Sequence, residues 1–443
     1  MSRNRSILFW SVTAALGGFL FGFDTAVISG VEQTLQGYWQ LNPFQQGLTV
    51  SIALFGTILG SLFGGLPADR FGRRKTLFWI ALAYFFSALG TALAHDWSVF
   101  LVFRFLGGVG VGASSVAAPL YITEISPPDR RGKMVALFQF NIVFGILFAY
   151  LSNYLLRDLG PNAWRWMLGI QAAPAALFVA TVLTIPESPR WLLLKKGMVD
   201  EARRIFTVIN PATAEETVES LLASQNAARA EAAPRLFSGK YTRPVTLAVL
   251  FAVFNQVSGI NAIIYYAPRI FEMTGLGKSS ALLSSAGIGL INLVFTLLAL
   301  QVIDRFGRRK LMLVGSVGLI ATLGLVARAF YVQDFAGFTV PALLFCYIAF
   351  FAFSQGAVIW VFISEIFPNE VRASGQALGS FTHWLMAAVV AFSFPSVAAY
   401  LGGGTVFLFF SAMMVLQLLF VWKAMPETKG TSLEKVEREV FAH

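Results

Sequence analysis

Long apolar runs separated by short polar stretches fill almost the whole of this 443-residue chain. Because a helix needs about 20 mainly apolar residues to cross the hydrocarbon core of a bilayer, each run predicts one membrane-spanning helix. The first run is interpreted as a span and not as a cleaved signal peptide, because it continues past residue 30 without a convincing small-residue cleavage site. The pattern predicts an all-α membrane protein with twelve spans, close to residues 7–30, 46–68, 76–94, 97–122, 134–156, 164–185, 243–267, 280–303, 311–332, 340–364, 373–400 and 404–423.

One long polar segment, from Lys195 to Thr242, separates six spans from six. Within it, Val199–Phe206 and Ala214–Ala230 carry apolar residues at helical spacing. These stretches predict short amphipathic helices under the membrane domain, with disorder as the alternative. The predicted organisation is a first six-helix bundle at 1–190, an intracellular helical linker at 191–242, a second six-helix bundle at 243–424 and a cytoplasmic tail at 425–443.

Three motifs occur once in each half of the chain. The heptad Asp69–Lys75 is repeated letter for letter at Asp304–Lys310. The other two pairs are Glu124-Ile-Ser-Pro with Glu365-Ile-Phe-Pro, and Pro186-Glu-Ser-Pro-Arg190 with Pro426-Glu-Thr-Lys-Gly430. Such repeats are typical of membrane transporters, whose substrate site lies near the midplane between two related halves.

Composition and charge agree with a membrane protein. Hydrophobic residues make up 56% of the chain and charged residues only 13%, so lipid is expected to be its solvent. The net charge of +10 is not read as a nucleic-acid signal, because most of the Lys and Arg residues lie at the chain ends, in the linker and after even-numbered spans. This asymmetry predicts that both termini and the linker are cytoplasmic.

The remaining chemistry excludes several function classes. The single cysteine, Cys346, excludes an intrachain disulfide framework and is expected to be a small core residue. The glycine run Gly107–Gly112 lies inside an apolar span, so it predicts close helix packing and not nucleotide binding. No cluster of metal ligands and no nucleophilic constellation is present, so we expect neither an enzyme nor a cofactor or metal.

Two opposite charges lie inside predicted spans. Asp24 is in span 1, and Arg104 is the only basic residue well inside a span. An isolated charge at this depth costs several kcal/mol or more, so the two are expected to pair. One interpretation is a static ion pair between spans 1 and 4. The interpretation that we favour is that Asp24 takes up and releases a coupling proton under the control of Arg104.

Span 7 contains a cluster of amides, Asn255-Gln-Val-Ser-Gly-Ile-Asn261. Gln256 and Asn261 would diverge by about 140° on an ideal helix, but the glycine between them could bend or break the helix so that both face one cavity. Amides and aromatic rings suit a neutral ring of hydroxyls with apolar C–H faces. The alternative is that these amides only bond neighbouring helices.

Together these motifs resemble the sugar porter family of the major facilitator superfamily, over nearly the whole chain. The resemblance implies two six-helix bundles with intracellular helices between them. It also implies transport of monosaccharides or related polyols by facilitated diffusion or proton symport. In the family, an acid at the position of Asp24 marks proton symporters, whereas animal facilitators have an amide there. Gln171 in span 6 stands where the bacterial xylose symporter pattern has a second acid.

The resemblance also implies the binding residues. Tyr265 and Tyr266 are expected to close the outer gate. Asn255 replaces the family's first Gln, His383 stands where relatives carry Asn or Gln, and the proline-rich stretch before Trp360 lacks its prolines. His383 could bond the sugar, respond to pH or only pack. The expected sugar contacts are Phe21, Gln139, Asn255, Gln256, Asn261, Tyr265, Asn292, Gly356, Trp360, His383 and Trp384.

Charged residues at the cytoplasmic ends of the spans are expected to form salt-bridge networks that close the outward-facing state. The alternative is that they set topology only. They are Asp69, Arg73, Glu124, Arg131, Glu187 and Arg190 in the first half, and Asp304, Arg308, Glu365, Arg372 and Glu427 in the second.

The sequence therefore predicts a monomeric, proton-coupled monosaccharide importer of a bacterial cell membrane. Its expected partners are the sugar, the proton and the lipid bilayer, and not nucleic acid. A facilitative uniporter of the same fold is the nearest alternative, and a non-transporting sugar receptor is a second.

Overall fold

A computed structural model describes residues 3–228, 236–237, 239–335, 337–368 and 371–429, whose regular secondary structure is helical. In the first half the spans are Arg3–Val27, extended by a 3-10 turn at Ile28–Gly30, then Pro43–Phe63, Arg73–Leu93, Trp97–Ile125, Arg131–Leu156 and the broken pair Ala163–Gly169 and Ala172–Val182. In the second half they are Thr242–Val257 with Ile260–Met273, Lys278–Phe306, Arg308–Val332, Thr339–Phe353 with Gln355–Glu365, and Arg372–Lys423. Shorter helices are Glu32–Tyr38, Gly65–Phe71 and Pro189–Trp191, followed by a π-helical turn at Leu192–Lys196.

The long helical segment Arg372–Lys423 contains two spans. Eleven segments among the described residues are long and apolar enough to cross a membrane, and Arg372–Lys423 is 52 residues long. At 1.5 Å per residue it would measure about 78 Å, more than twice the bilayer core. Gly402 interrupts it with φ 78° and ψ 157°. The all-α membrane fold with twelve spans is therefore confirmed.

The two linker helices are also confirmed, at Val199–Ile209 and Ala214–Ala228. The last two residues of the predicted second helix, Arg229 and Ala230, lie outside the described part of the chain. Arg203 joins the two helices, since its Nε donates to Glu215 at 2.8 Å. This bond raises the pKa of Arg203, so the guanidinium stays charged.

Spans 7 and 10 are both broken near their middle. Span 7 breaks at Gly259, where φ is 87° and a Cβ would overlap the Phe410 ring. The predicted glycine break is thus confirmed. Span 10 breaks at Ser354, whose hydroxyl donates to the Phe350 carbonyl at 2.6 Å. Ser316 makes the same kind of bond to Met312 inside an unbroken span, so this bond accompanies the span-10 break and does not explain it.

Two prolines inside spans leave carbonyls without helical partners, and tyrosines supply them. Pro268 cannot donate to Ile264, whose carbonyl instead accepts from the Tyr150 hydroxyl at 2.7 Å. In the same way, the carbonyl of Ala391, four residues before Pro395, accepts from the Tyr266 hydroxyl at 2.9 Å. These two bonds tie span 5 to span 7 and span 7 to span 11.

The glycine run in span 4 packs against span 2. A Cβ on Gly112 would overlap the carbonyl of Thr57, and one on Gly60 would overlap the carbonyl of Val109. Small residues let helix backbones approach this closely inside a membrane protein. The contacts agree with the prediction of close packing for this run.

The expectation that Cys346 is a core residue is wrong, because its side chain is exposed. In a membrane span the lipid-facing and core-facing residues are both apolar, so the hydrophobic pattern does not separate them.

The helices group into two compact units. The first contains the described residues of Met1–Asp24, Gly56–Ile146 and Arg165–Ala232, and the second those of Thr25–Phe55, Leu147–Trp164 and Ala233–His443. The second unit thus combines the second half of the chain with one end of spans 1, 2 and 5.

Candidate functional site

Asp24 and Arg104 form an ion pair inside the first unit. Arg104 Nη1 donates to Asp24 Oδ1 at 2.8 Å, and its Nη2 lies 3.3 Å from the Asp24 carbonyl oxygen. Only 3% of the Asp24 side chain and 2% of the Arg104 side chain are exposed. Each charge therefore depends on the other for its compensation.

The pair is closely surrounded by polar and small residues. The Gln171 side chain interacts with Asp24, and Arg104 Nε has no hydrogen-bond partner among the described residues. A Cβ on Gly107 would overlap Ser87 Oγ and lie 3.4 Å from Asp24 Oδ1. The carboxylate thus has polar side chains beside it and little free space.

The break in span 7 brings its amides together. Asn261 Nδ2 donates to Gln256 Oε1 at 2.6 Å, and Gln256 Nε2 donates to Asn255 Oδ1 at 2.8 Å. Gln256 Nε2 also lies 3.2 and 3.3 Å from the two ring nitrogens of His383. All four side chains are at least 90% buried.

Aromatic rings extend this amide cluster. The His383 ring lies 4.9 Å from the Trp360 ring and 4.8 Å from the Trp384 ring, the latter at 88°. Trp384 is buried, whereas 37% of Trp360 is exposed. Span 11 therefore places an imidazole and an indole beside the span-7 amides.

The remaining predicted binding residues have the following surroundings. In the second unit, Asn292 accepts from Thr296 at 3.4 Å, and a Cβ on Gly356 would meet Phe351. Tyr265 is buried, and Tyr266 stacks on Phe394 at 4.9 Å. Phe21 is buried and Gln139 partly buried in the first unit.

The charged motifs of the first half form one network around Arg73. Its Nε and Nη2 donate to Glu124 at 2.9 and 3.1 Å, and its Nη1 lies 3.1 Å from Asp69. Glu187 Oε1 accepts from the backbone N–H groups of Arg73 and Arg74 at 2.8 and 3.0 Å. A carboxylate at these first N–H groups stabilises the start of span 3.

The second half repeats this network around Arg308. Its Nη2 and Nε donate to Glu365 at 2.9 and 3.2 Å, and its Nη1 to Asp304 at 3.0 Å. Glu427 accepts from the backbone N–H groups of Arg308 and Arg309 at 2.9 and 3.1 Å. The second half therefore repeats the contacts of the first half as well as its sequence motifs.

Three predicted gate residues are outside these networks in this conformation. Arg131 and Arg190 are exposed and make no ion pair among the described residues. Arg372 Nε donates only to the Phe367 carbonyl, at 3.3 Å.

Comparisons with known proteins agree with this architecture. The family model described as "Sugar (and other) transporter" matches residues 10–440. The chain is 36% identical to the arabinose-proton symporter of Bacillus subtilis (strain 168), over 99% of this chain and 96% of that protein. It is 38% identical to the D-xylose transporter of Levilactobacillus brevis, over 99% and 97%.

A solved transporter structure also matches the chain over nearly its whole length. The inward-open conformation of the xylose transporter XylE from E. coli matches with a TM-score of 0.87 at 34% identity, over 98% of this chain and 99% of that chain. The chain belongs to the sugar porter family of the major facilitator superfamily. This sugar porter is a membrane transporter and not an enzyme, as the sequence predicts.

The sugar porter has a second buried ion pair that sequence reasoning missed. Arg269 Nε and Nη2 donate to the two carboxylate oxygens of Glu32, both at 2.7 Å. The Glu32 side chain is 0% exposed. The available signal was an acid just after span 1 and an Arg at the corresponding end of span 7.

Among its described residues, the sugar porter has no group of three His, Cys, Asp or Glu side chains that could hold a metal ion.

Proposed function

We propose that this sugar porter imports a monosaccharide together with a proton by alternating access. The observation that carries the proposal is the buried Asp24–Arg104 pair, with its 2.8 Å bond and the Gln171 side chain that interacts with the carboxylate. A carboxylate in such a position can bind a proton without leaving a lone charge only if Arg104 is compensated elsewhere. Proton uptake is therefore linked to movement of span 4 against span 1.

The relatives support the coupling. The arabinose relative is named a proton symporter at 36% identity over 99% of this chain. Carrying one positive charge inward across 100 mV supplies about 2.3 kcal/mol. That is enough to concentrate a neutral sugar about 50-fold.

The substrate chemistry follows from the second unit. Gln256 and Asn261 offer both N–H donors and carbonyl acceptors, which pair with adjacent sugar hydroxyls. Trp384 and Trp360 offer flat faces for the apolar C–H side of the ring. We infer that the binding residues of the second unit are Asn255, Gln256, Asn261, Tyr265, Asn292, Gly356, Trp360, His383 and Trp384. Phe21 and Gln139 of the first half are likewise proposed to contact the sugar.

The orientation follows from charge. The loops that carry Arg73 and Arg308 are strongly basic, so we place them, the linker and both termini in the cytoplasm of a cell-membrane protein. The two charged networks then act as cytoplasmic gates, within bundles at 1–190 and 243–424 joined by the linker at 191–242. Tyr265 and Tyr266 belong to the outer gate.

The test uses proteoliposomes that contain the sugar porter or its Asp24→Asn variant. The starting protein is expected to accumulate labelled monosaccharide only under an inward proton gradient. Asn cannot bind the proton but preserves the side-chain shape, so Asp24→Asn is expected to lose accumulation and retain exchange of sugar across the membrane. Unchanged accumulation in this variant would refute the proton role of Asp24.

A uniporter of the same fold is the second candidate function, since Gln171 stands beside Asp24 where the xylose symporter pattern has an acid. The same assay separates the two. A uniporter equilibrates the sugar at equal rates with and without the proton gradient, in both the starting protein and Asp24→Asn. A panel of competing pentoses and hexoses in this assay identifies the substrate.

A further inference from the structure

Glu32 and Arg269 form a buried, bidentate ion pair, although Glu32 lies just beyond the end of span 1, where charged side chains are usually solvated. The guanidinium of Arg269 binds the carboxylate with two parallel hydrogen bonds of 2.7 Å. This bidentate geometry is the strongest form of ion pair that side chains make. Glu32 is fully buried, and 24% of the Arg269 side chain is exposed.

Two amides complete the bonding of both charges. Gln46 Nε2 donates to the Glu32 backbone carbonyl at 2.8 Å and also to the Glu32 carboxylate. Gln36 Oε1 accepts from Arg269 Nη2 at 2.5 Å. Because burial of an ion pair is costly unless its remaining donors and acceptors are satisfied, these amides lower the cost of burying this pair.

The cluster joins elements from the two halves of the chain inside the second compact unit. Glu32 and Gln36 lie on the short helix Glu32–Tyr38, and Gln46 lies in span 2. Arg269 lies near the end of span 7, one residue after Pro268. Any motion that separates the first-half helices from span 7 at this end must therefore break the pair.

Neighbouring contacts span the same boundary but are weaker. Tyr150 bonds the Ile264 carbonyl at 2.7 Å, and the Phe44 ring lies 5.1 Å from the Phe392 ring. When this end opens, separating a hydroxyl or a phenyl ring from its partner costs little free energy. Separating a desolvated ion pair costs more. The pair is thus the contact at this end whose separation changes the electrostatics most.

We propose that Glu32 and Arg269 form an outer latch, an ion pair that is closed when the sugar porter faces inward and separated when it faces outward. The proposal rests on the orientation given above, in which this end of the spans faces outside. Glu32 and Arg269 are positioning residues for the transport cycle and do not touch the sugar.

The charges around the latch are consistent with this role. Glu272 interacts electrostatically with both partners. Reversing Arg269 to an acid therefore places three carboxylates together, whereas reversing Glu32 to a base places two cations together. Either change favours separation of the latch by like-charge repulsion.

The experiment measures distances between spin labels on the outer ends of the two halves in lipid nanodiscs. Labels are attached to Gly37→Cys and Gly277→Cys, where an added Cβ meets nothing within 4 Å, in a Cys346→Ser background. E32K and R269E are each expected to lower the closed-to-open ratio by at least about tenfold, the loss expected for breaking a buried pair. In E32K/R269E the reversed pair is expected to recover most of this ratio.

The matched control is Arg157→Glu, which breaks a pair (3.1 Å) whose Arg is about as exposed as Arg269, at 23%, but whose acid, Asp158, is 78% exposed. It is expected to change the ratio by less than about twofold. The latch is overturned if E32K and R269E also stay within about twofold, or if the double variant is more open than both. Melting curves identify misfolded variants. The measurement needs neither sugar nor a proton gradient, so its failure is distinguishable from failure of proton symport.

Discussion

His383 lies where an amide and two indole rings meet. Gln256 Nε2 points at its ring nitrogens from 3.2 and 3.3 Å, and an amide N–H can donate only to an unprotonated nitrogen. One N–H of Gln256 can donate to only one of the two ring nitrogens, so the contact fits a neutral imidazole that accepts through that nitrogen.

This role predicts different outcomes for two substitutions. His383→Asn is expected to keep the KM for sugar uptake close to that of the starting protein, because its carbonyl can accept from Gln256. His383→Ala leaves a buried donor unsatisfied, a cost of about 1–3 kcal/mol that is expected to raise KM about tenfold or more. Initial uptake rates over a range of sugar concentrations measure both. If Asn is as poor as Ala, the imidazole ring itself is required.

The pairing of charged side chains could be predicted where each charge stands alone within an apolar span. Asp24 and Arg104 stand alone in their spans, and the expected pairing is confirmed at 2.8 Å. Glu32 and Arg269 escaped prediction because they lie near span ends, where charges are normally solvated. Their partners are distant in sequence, and only the packed structure shows that water is excluded from Glu32.

At the scale of single helices, two prolines weaken spans 7 and 11 and two tyrosines repair them. Each repair crosses to another helix, so the weakness of one helix becomes a connection between two. The freed carbonyls of Ile264 and Ala391 have no water to bond in a membrane interior, which makes the tyrosine hydroxyls valuable.

Tyr150→Phe and Tyr266→Phe test this repair. Each removes one hydroxyl and leaves a carbonyl unsatisfied, so each is expected to lower the free energy of unfolding by about 1–3 kcal/mol. Tyr400→Phe is the matched control, since this tyrosine is 82% exposed, and it is expected to be neutral. Thermal unfolding in detergent measures all three. Equal melting temperatures for the three variants would contradict the role of the hydroxyls.

Helix breaks were predictable only where the residue type limits the backbone. Gly259 between two amides predicts its own break, because glycine adopts φ of 87° without strain. Ser354 gives no comparable signal, since serine occurs in many unbroken helices. Its hydroxyl bond to the Phe350 carbonyl does not distinguish it, since Ser316 makes the same bond to Met312 in an unbroken span.

At the scale of the whole molecule, the two halves use the same solution at the start of spans 3 and 9. Gly72 and Gly307 have φ of 102° and 87°, and a Cβ on either would overlap the carboxylate of Glu187 or Glu427. The repeated heptad therefore contains a glycine for a backbone reason and basic residues for an electrostatic one.

This symmetry predicts matched losses. Gly72→Ala and Gly307→Ala are each expected to destabilise the protein by about 1–3 kcal/mol, because the positive φ is strained and the capping carboxylate is displaced. Gly132→Ala, where a Cβ meets nothing within 4 Å, is expected to be neutral or slightly stabilising. Melting temperatures provide the comparison. A large loss in one half alone would show that the second network is not equivalent to the first.

Gly402 couples the movements of spans 11 and 12. The helical pattern resumes immediately after this one residue, so spans 11 and 12 share a corner and no flexible loop separates them. Because only this corner separates the two helices, we expect the tilt of span 12 to change together with the tilt of span 11. A flexible insertion after Gly402 would uncouple the two and slow sugar exchange while leaving each helix intact.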